Sequence, residues 1–197
     1  MVPGPAAAVH THAARGAAPA PAASSDLPAQ VLADLRTDHA GETGAVCIYQ
    51  GVLRVTRDPA LRDFATRHLA TEQTHLNHIE AWLPKAHRSQ LLPAWRLAGW
   101  LTGALPAVFG SRAVYATVEA VERFVDRHYD EQVQRLASQP DLHALRETLL
   151  TCQQDEAAHR DEAASARGPV TPGPVLRAWC RLVDAGSRVA VRICRYV

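Results

Sequence analysis

The chain lacks the features that mark several familiar classes of protein. Its four cysteines, Cys47, Cys152, Cys180 and Cys194, are scattered, and no Cys-x-x-Cys pair occurs. That argues against a zinc ribbon, a rubredoxin-type centre or a disulfide framework, and suggests a reducing compartment. Lysine is nearly absent, Lys85 being the one example. Lys+Arg 21 against Asp+Glu 20 leaves a net charge of +1, which gives nucleic-acid binding no support. No run alternates between apolar and polar residues as a half-buried strand would, so the fold class is all-α. The most apolar stretch, between Pro84 and Arg112, is broken by Pro93, Arg96, Pro106 and three glycines, which makes a membrane span a poor reading.

At 197 residues the chain is long enough for one domain with a full core. Residues 1–28, rich in Ala and Pro, read as a disordered leader, with the domain over 29–197. The leader has no continuous apolar core of a secretory signal, and its single Arg15 makes a weak transit peptide. His10 and His12 in it are incidental rather than metal ligands.

Helical periodicity predicts four long helices: Pro28 to about Thr56, Pro59 to about Trp82, about Arg112 to Ala137, and about Leu142 to Ala166. A fifth closes the chain. Two of the four carry the same short pattern, Glu72-Gln73-Thr74-His75 and Glu156-Ala157-Ala158-His159. Residues three apart share a helix face, so each pattern offers a carboxylate and an imidazole to one point. Each is preceded by a glutamate on the helix before it. Glu42 lies 15 residues before Arg57 and Glu72 lies 13 after Pro59; Glu122 lies 17 before Gln139 and Glu156 lies 16 after Pro140. At roughly 1.5 Å per residue, a chain that climbs from Glu42 to the turn returns to the same height at Glu72, and likewise from Glu122 to Glu156. Two antiparallel hairpins thus bring Glu42, Glu72, His75, Glu122, Glu156 and His159 level at mid-height, the ligand set of a two-metal carboxylate site in a four-helix bundle. His39, one turn before Glu42, is the alternative ligand. Glu119, His78, Glu80 and His128 fall off the common face.

Four carboxylates and two imidazoles suit iron or manganese better than copper or structural zinc. Four negative charges balance two divalent ions, so the loaded site can be buried; without metal the carboxylates repel and their pKa values rise. The connection from Pro84 to Arg112 is then a long apolar crossover between hairpins. In the last helix, Arg177, Arg181, Arg188, Arg192 and Arg195 fall within an arc of about 60°, opposite Val175, Trp179, Leu182, Val183, Val189, Ile193 and Val197. That pattern suits a helix lying in a membrane surface.

The residues also carry a family likeness. Arg36-Thr37-Asp38-His39-Ala40-Gly41-Glu42-Thr43-Gly44-Ala45, followed by Ile48-Tyr49-Gln50-Gly51, resembles the opening motif of the demethoxyubiquinone hydroxylase family. Glu72-x-x-His75-Leu76, Leu92-Pro93-x-Trp95, Glu122 six residues before His128-Tyr129, Asp155-Glu156-x-x-His159 and Ala185-Gly186-Ser187-Arg188-Val189-Ala190 match its later motifs. The likeness runs from about residue 29 to the C-terminus. It implies a ferritin-like monooxygenase with two iron ions (Fe2+), held at the six positions above. The implied reaction uses O2 to hydroxylate the ring of a demethoxy polyprenyl benzoquinol, 2-polyprenyl-3-methyl-6-methoxy-1,4-benzoquinol, in ubiquinone biosynthesis. The implied location is peripheral, on the cytoplasmic side of a bacterial inner membrane, or on the matrix side of the mitochondrial inner membrane. A homo-oligomer or a ubiquinone-synthesis complex is left open. The competing readings are a rubrerythrin-like peroxidase, a dimanganese catalase, and a ferritin-like iron-binding or storage protein.

Overall fold

The fold follows from where the helices stop. A computed structural model describes residues 27–197, so residues 1–26 of the leader, with its two histidines, lie outside the described residues. Among the described residues six α-helices form: α1 (Ala29–Val55), α2 (Pro59–Trp82), α3 (Leu92–Val108), α4 (Ser111–Leu136), α5 (His143–Arg167) and α6 (Pro174–Cys194). Among the described residues there is no strand, and the architecture is that of a ferritin-like bundle. Asp58 starts α2 by accepting from the Ala60 amide at 3.0 Å, with Pro59 in the first turn, where its missing N–H costs nothing. Pro140 turns the chain into α5 through a short 3-10 turn, and Gly168, at φ 77°, ends α5 in a conformation that glycine tolerates.

α1 and α2 form one antiparallel hairpin, and α4 and α5 form the other. The bundle core divides into two apolar clusters. One gathers Leu35, Ile79, Trp82, Tyr129, Leu145 and Leu149. The other gathers Tyr49, Val52, Leu61, Phe64, Val114 and Tyr115. Each cluster draws on both hairpins, and a polar layer lies between them.

The crossover, which reads in sequence as a broken connection, contains a helix. Pro93 sits in the first turn of α3, where it is compatible with helix. Gly99 and Gly103 do not break α3 but let it press on α1. A Cβ at Gly99 would overlap the backbone of Gly44, one at Gly103 the backbone of Ile48, and one at Gly51 the backbone of Trp100 and Ala104. The opposite side of α3 exposes Leu97, Trp100, Leu101, Leu105, Val108 and Phe109.

α6 lies across α1 and α4. Its apolar arc is split: Trp179 and Val183 turn inward, while Val175, Leu182 and Val189 remain exposed. The helix ends at Cys194, three residues earlier than its periodicity suggests. Arg36 catches the Arg195 carbonyl at 3.1 Å, and Arg195 turns away from the basic face to pair with Asp34 at 2.8 Å. No helix among the described residues is long and apolar enough to cross a membrane.

Candidate metal centre

The polar layer is built by four helices. α1 supplies Glu42, α2 supplies Glu72 and His75, α4 supplies Glu122, and α5 supplies Glu156 and His159; all six are buried. They form two overlapping groups whose donor atoms lie within 4.8 Å of one another: Glu42, Glu72, His75 and Glu156, and Glu72, Glu122, Glu156 and His159. Glu72 and Glu156 belong to both groups. The structure therefore gathers all six residues selected by the spacing. It does not bring His39 to them, because His39 Nε2 faces Glu80 at 3.1 Å. Glu80 also pairs with Arg88, and Glu119 pairs with Arg123 and Arg167.

Several donors in this layer have no hydrogen-bond partner. Both oxygens of Glu72, Oε2 of Glu156 and Nδ1 of His159 are buried and unpartnered. His159 Nδ1 and Glu72 Oε1 are 3.1 Å apart but misaligned for a hydrogen bond, as when atoms aim at a shared point rather than at each other. Each orphaned buried group costs about 1–3 kcal/mol. A cation among them removes that cost, and oxygen and imidazole donors are the types a hard or borderline ion takes. The cluster can thus hold a metal ion.

Supporting contacts fix the donors. Asp155 Oδ2 lies 3.1 Å from His75 Nε2 and Glu156 Oε1 lies 3.0 Å from its Nδ1, so without metal both ring nitrogens donate to carboxylates, and a cation in the cluster would take the place of the Nδ1 proton. Tyr49 donates to Glu122 Oε1 at 2.9 Å, and Tyr129 donates to Glu42. The Tyr49 oxygen also lies 3.2 Å from Nδ1 of His68, whose Nε2 is 3.0 Å from Glu162. Sequence reasoning gave no role to Tyr49, Tyr129, His68 or Asp155. A signal existed for the tyrosines: each lies seven residues, two helical turns, after Glu42 or Glu122.

In the metal-free protein, protons substitute for ions. Burial pushes the carboxyls of Glu42 and Glu122 well above the usual range, and the neighbouring carboxylates add to it. Burial would also raise Glu72, but His159 and His75 reverse this and hold it far below the ordinary value. Burial disfavours the imidazolium of His159, yet Glu156 and Glu72 outweigh it and lift its pKa to about 11. His75 also rises, against its burial, through Cys152 first and then Asp155, Glu156 and Glu72.

The centre opens on one side. A cavity of about 470 Å³ runs from Glu42, Glu72, Glu122 and Glu156 outward between α1, α3, α4 and α6. Its walls are largely apolar, with Ala45, Ile48, Val121, Phe124, Leu182 and Val191 among them.

Fold and site together define a ferritin-like helical bundle with a buried carboxylate–histidine centre beside an apolar cavity. More particularly, the chain belongs to the ubiquinone biosynthesis protein COQ7 family, whose profile matches residues 29–194. It is 35% identical over 167 residues to the 3-demethoxyubiquinol 3-hydroxylase of Rhodospirillum rubrum, covering 83% of this chain and 76% of that one. It is also 29% identical over 162 residues to the NADPH-dependent 3-demethoxyubiquinone 3-hydroxylase, mitochondrial, of Dictyostelium discoideum (80% and 73% covered). The protein of that same name from Homo sapiens is 27% identical, with the same shares covered.

Proposed function

We propose that the protein is a two-iron monooxygenase that hydroxylates the ring of a demethoxy polyprenyl benzoquinol in ubiquinone biosynthesis. The observation that carries this reading is the meeting of six donors from four helices at the inner end of an apolar cavity. Family membership supports it, as do the names of the relatives.

Glu42, Glu72, His75, Glu122, Glu156 and His159 would hold two iron ions, with Glu72 and Glu156 common to both. When bound, ferrous iron supplies electrons and open positions for dioxygen. In the overall reaction one oxygen atom enters a ring C–H bond, and the other leaves as water with two electrons and two protons. The chain's own part is to orient and to exclude water. Tyr49 and Tyr129 each hold one carboxylate, Asp155 holds His75, and the apolar walls admit the ring and its tail. The competing readings, iron storage and a dimanganese catalase, do not call for an apolar cavity at the centre.

The exposed apolar row of α3 and the outward residues of α6 support peripheral binding to a lipid surface, the compartment of a polyprenyl substrate. The relatives carry both bacterial and mitochondrial names, and the reading fits the inner membrane of either setting. The deciding experiment is quinone profiling of cells lacking the protein. The demethoxy precursor should accumulate and be cleared by the wild type but not by Glu122→Ala. Liposome flotation then separates this reading from storage or catalase, both of which leave the protein in the aqueous fraction.

A further inference from the structure

A ring with polar oxygens cannot enter an apolar cavity cheaply unless those oxygens find partners. Most polar side chains on the walls have already spent their hydrogens. Thr37 donates to the Asp34 carbonyl at 2.7 Å, Thr102 to Ala98 at 2.8 Å, Ser187 to Val183 at 3.1 Å, and Tyr129 to Glu42. Trp179 donates to Thr117 at 2.9 Å. His128 differs. Its Nε2 lies 3.1 Å from Thr37 Oγ1 and 3.1 Å from Asp38 Oδ1, while its Nδ1 bonds to nothing among the described residues and is not sealed off.

The neighbours of Nε2 decide where the ring proton sits. Thr37 gives its hydrogen to Asp34, so it can only accept from His128. Asp38 Oδ1 accepts from Gln132 at 2.7 Å and accepts again from the imidazole. With two acceptors facing it, Nε2 carries the proton, and Nδ1 of the neutral ring is a lone pair. Asp38 itself is fully covered, whereas the His128 side chain is 13% exposed, so the imidazole is the part of this group that a ligand can reach. The group also stands at a useful height. Asp38 precedes Glu42 by one turn of α1, roughly 6 Å of rise, a distance that one aromatic ring with oxygens at opposite ends can span.

We infer that His128 seats the reduced ring, its Nδ1 accepting a hydrogen bond from a ring hydroxyl of the quinol, with Asp38 and Thr37 as positioning residues that keep the proton on Nε2. The inference rests on the quinol reading above and sharpens it. A hydroxyl has a hydrogen to give and a quinone carbonyl has none, so the cavity selects the reduced ring over the oxidised one. It also gives a function to Asp38 and His128, which the family motifs contain but the six ligand positions do not use.

The test uses the iron-loaded full chain without oxygen. Two tail-less probes are titrated: a methoxy-methyl-1,4-dihydroxybenzene, and the same ring with both hydroxyls capped as methyl ethers. Trp95 and Trp179 line the cavity, so binding is read from tryptophan fluorescence. The wild type should prefer the dihydroxy ring about tenfold, the size of one neutral hydrogen bond. His128→Phe should abolish the preference, and in separate turnover assays with oxygen it should raise KM about tenfold with little change in kcat. His128→Asn, whose amide oxygen can accept, should recover part of it. A wild type that binds both rings equally, or a His128→Phe protein that keeps the full preference, overturns the inference and leaves the quinol reading standing. A wild type of normal iron content that binds neither ring removes that reading too. If His128→Phe does not fold, the wild-type ratio and His128→Asn still decide.

Discussion

The two hairpins are alike where they touch the centre and unlike just behind it. In each, a glutamate on the first helix is followed seven residues later by a tyrosine, and the second helix carries Glu-x-x-His. The tyrosines are exchanged: Tyr49 serves Glu122 and Tyr129 serves Glu42. The match ends one turn away. Four residues before Glu72 stands His68, which leads through Glu162 to the surface. Four residues before Glu156 stands Cys152, buried in the apolar cluster with Tyr129. One residue before Glu156 is Asp155, which holds His75, whereas one residue before Glu72 is Thr71, which bonds only its own helix. Contact with the shared centre constrains both halves equally, while the environment behind each half is free to differ.

Breaking the matched part should have the largest effect. Glu72→Ala or Glu156→Ala removes a residue common to both groups and should abolish binding of both ions, measured as iron per chain, and with it all hydroxylation. Glu42→Ala and Glu122→Ala each remove a residue from one group only and should leave the second ion in place.

Removing the metal from both halves at once comes next. Binding at a hundred- to a thousandfold above Kd stabilises by about 2.7–4.1 kcal/mol, so a strong chelator should lower Tm by roughly 10 °C. The loss should deepen with pH. The raised pKa of His159 means its contribution is complete below the ordinary histidine value near 6.5 and fades as pH rises through about 11. Glu42 and Glu122 act in the same direction, since buried neutral carboxyls must ionise as pH rises. Metal displaces these protons, so the loaded protein should bind more tightly at higher pH and release acid on loading. Melts at pH 6 and pH 9, with and without chelator, check both signs. A metal-free protein that gains stability with pH would contradict them.

The tyrosine exchange predicts a smaller effect. Tyr49→Phe and Tyr129→Phe should each cost about 1–3 kcal/mol in denaturant melts of the metal-free protein. Tyr49→Phe should cost more, because it also leaves His68 Nδ1 without a partner. The smallest effect should come from the unmatched positions. Cys152→Ala should cost about 1 kcal/mol through a small cavity. His68→Ala should exceed it, since it empties a larger buried volume and removes the contacts to Tyr49 and Glu162.

The elements and the clustered residues that are legible in the sequence share a cause. Glu42, Glu72, Glu122 and Glu156 repeat at matched distances from two turns, and helix rise converts distance along the chain into height. The four long helices were placed to within a residue or two for the same reason. α3 was not, because Pro93, Gly99 and Gly103 read as breakers until the first-turn position of the proline and the close approach to α1 are known. His39 has the spacing of an alternative ligand, and only the position of Glu80 turns it away. Asp155 and His68 act across helices that are far apart in sequence, which local periodicity does not encode.

The glycine contacts between α1 and α3 have a mechanical consequence. With backbone resting on backbone, no side chain can flex to absorb a load, so force applied to the outward row of α3 passes undamped into the helix that bears Glu42. A lipid leaflet gripping Trp100 and Leu101 would therefore set the height of the reactive layer above the bilayer, in the way a keel sets the waterline of a hull.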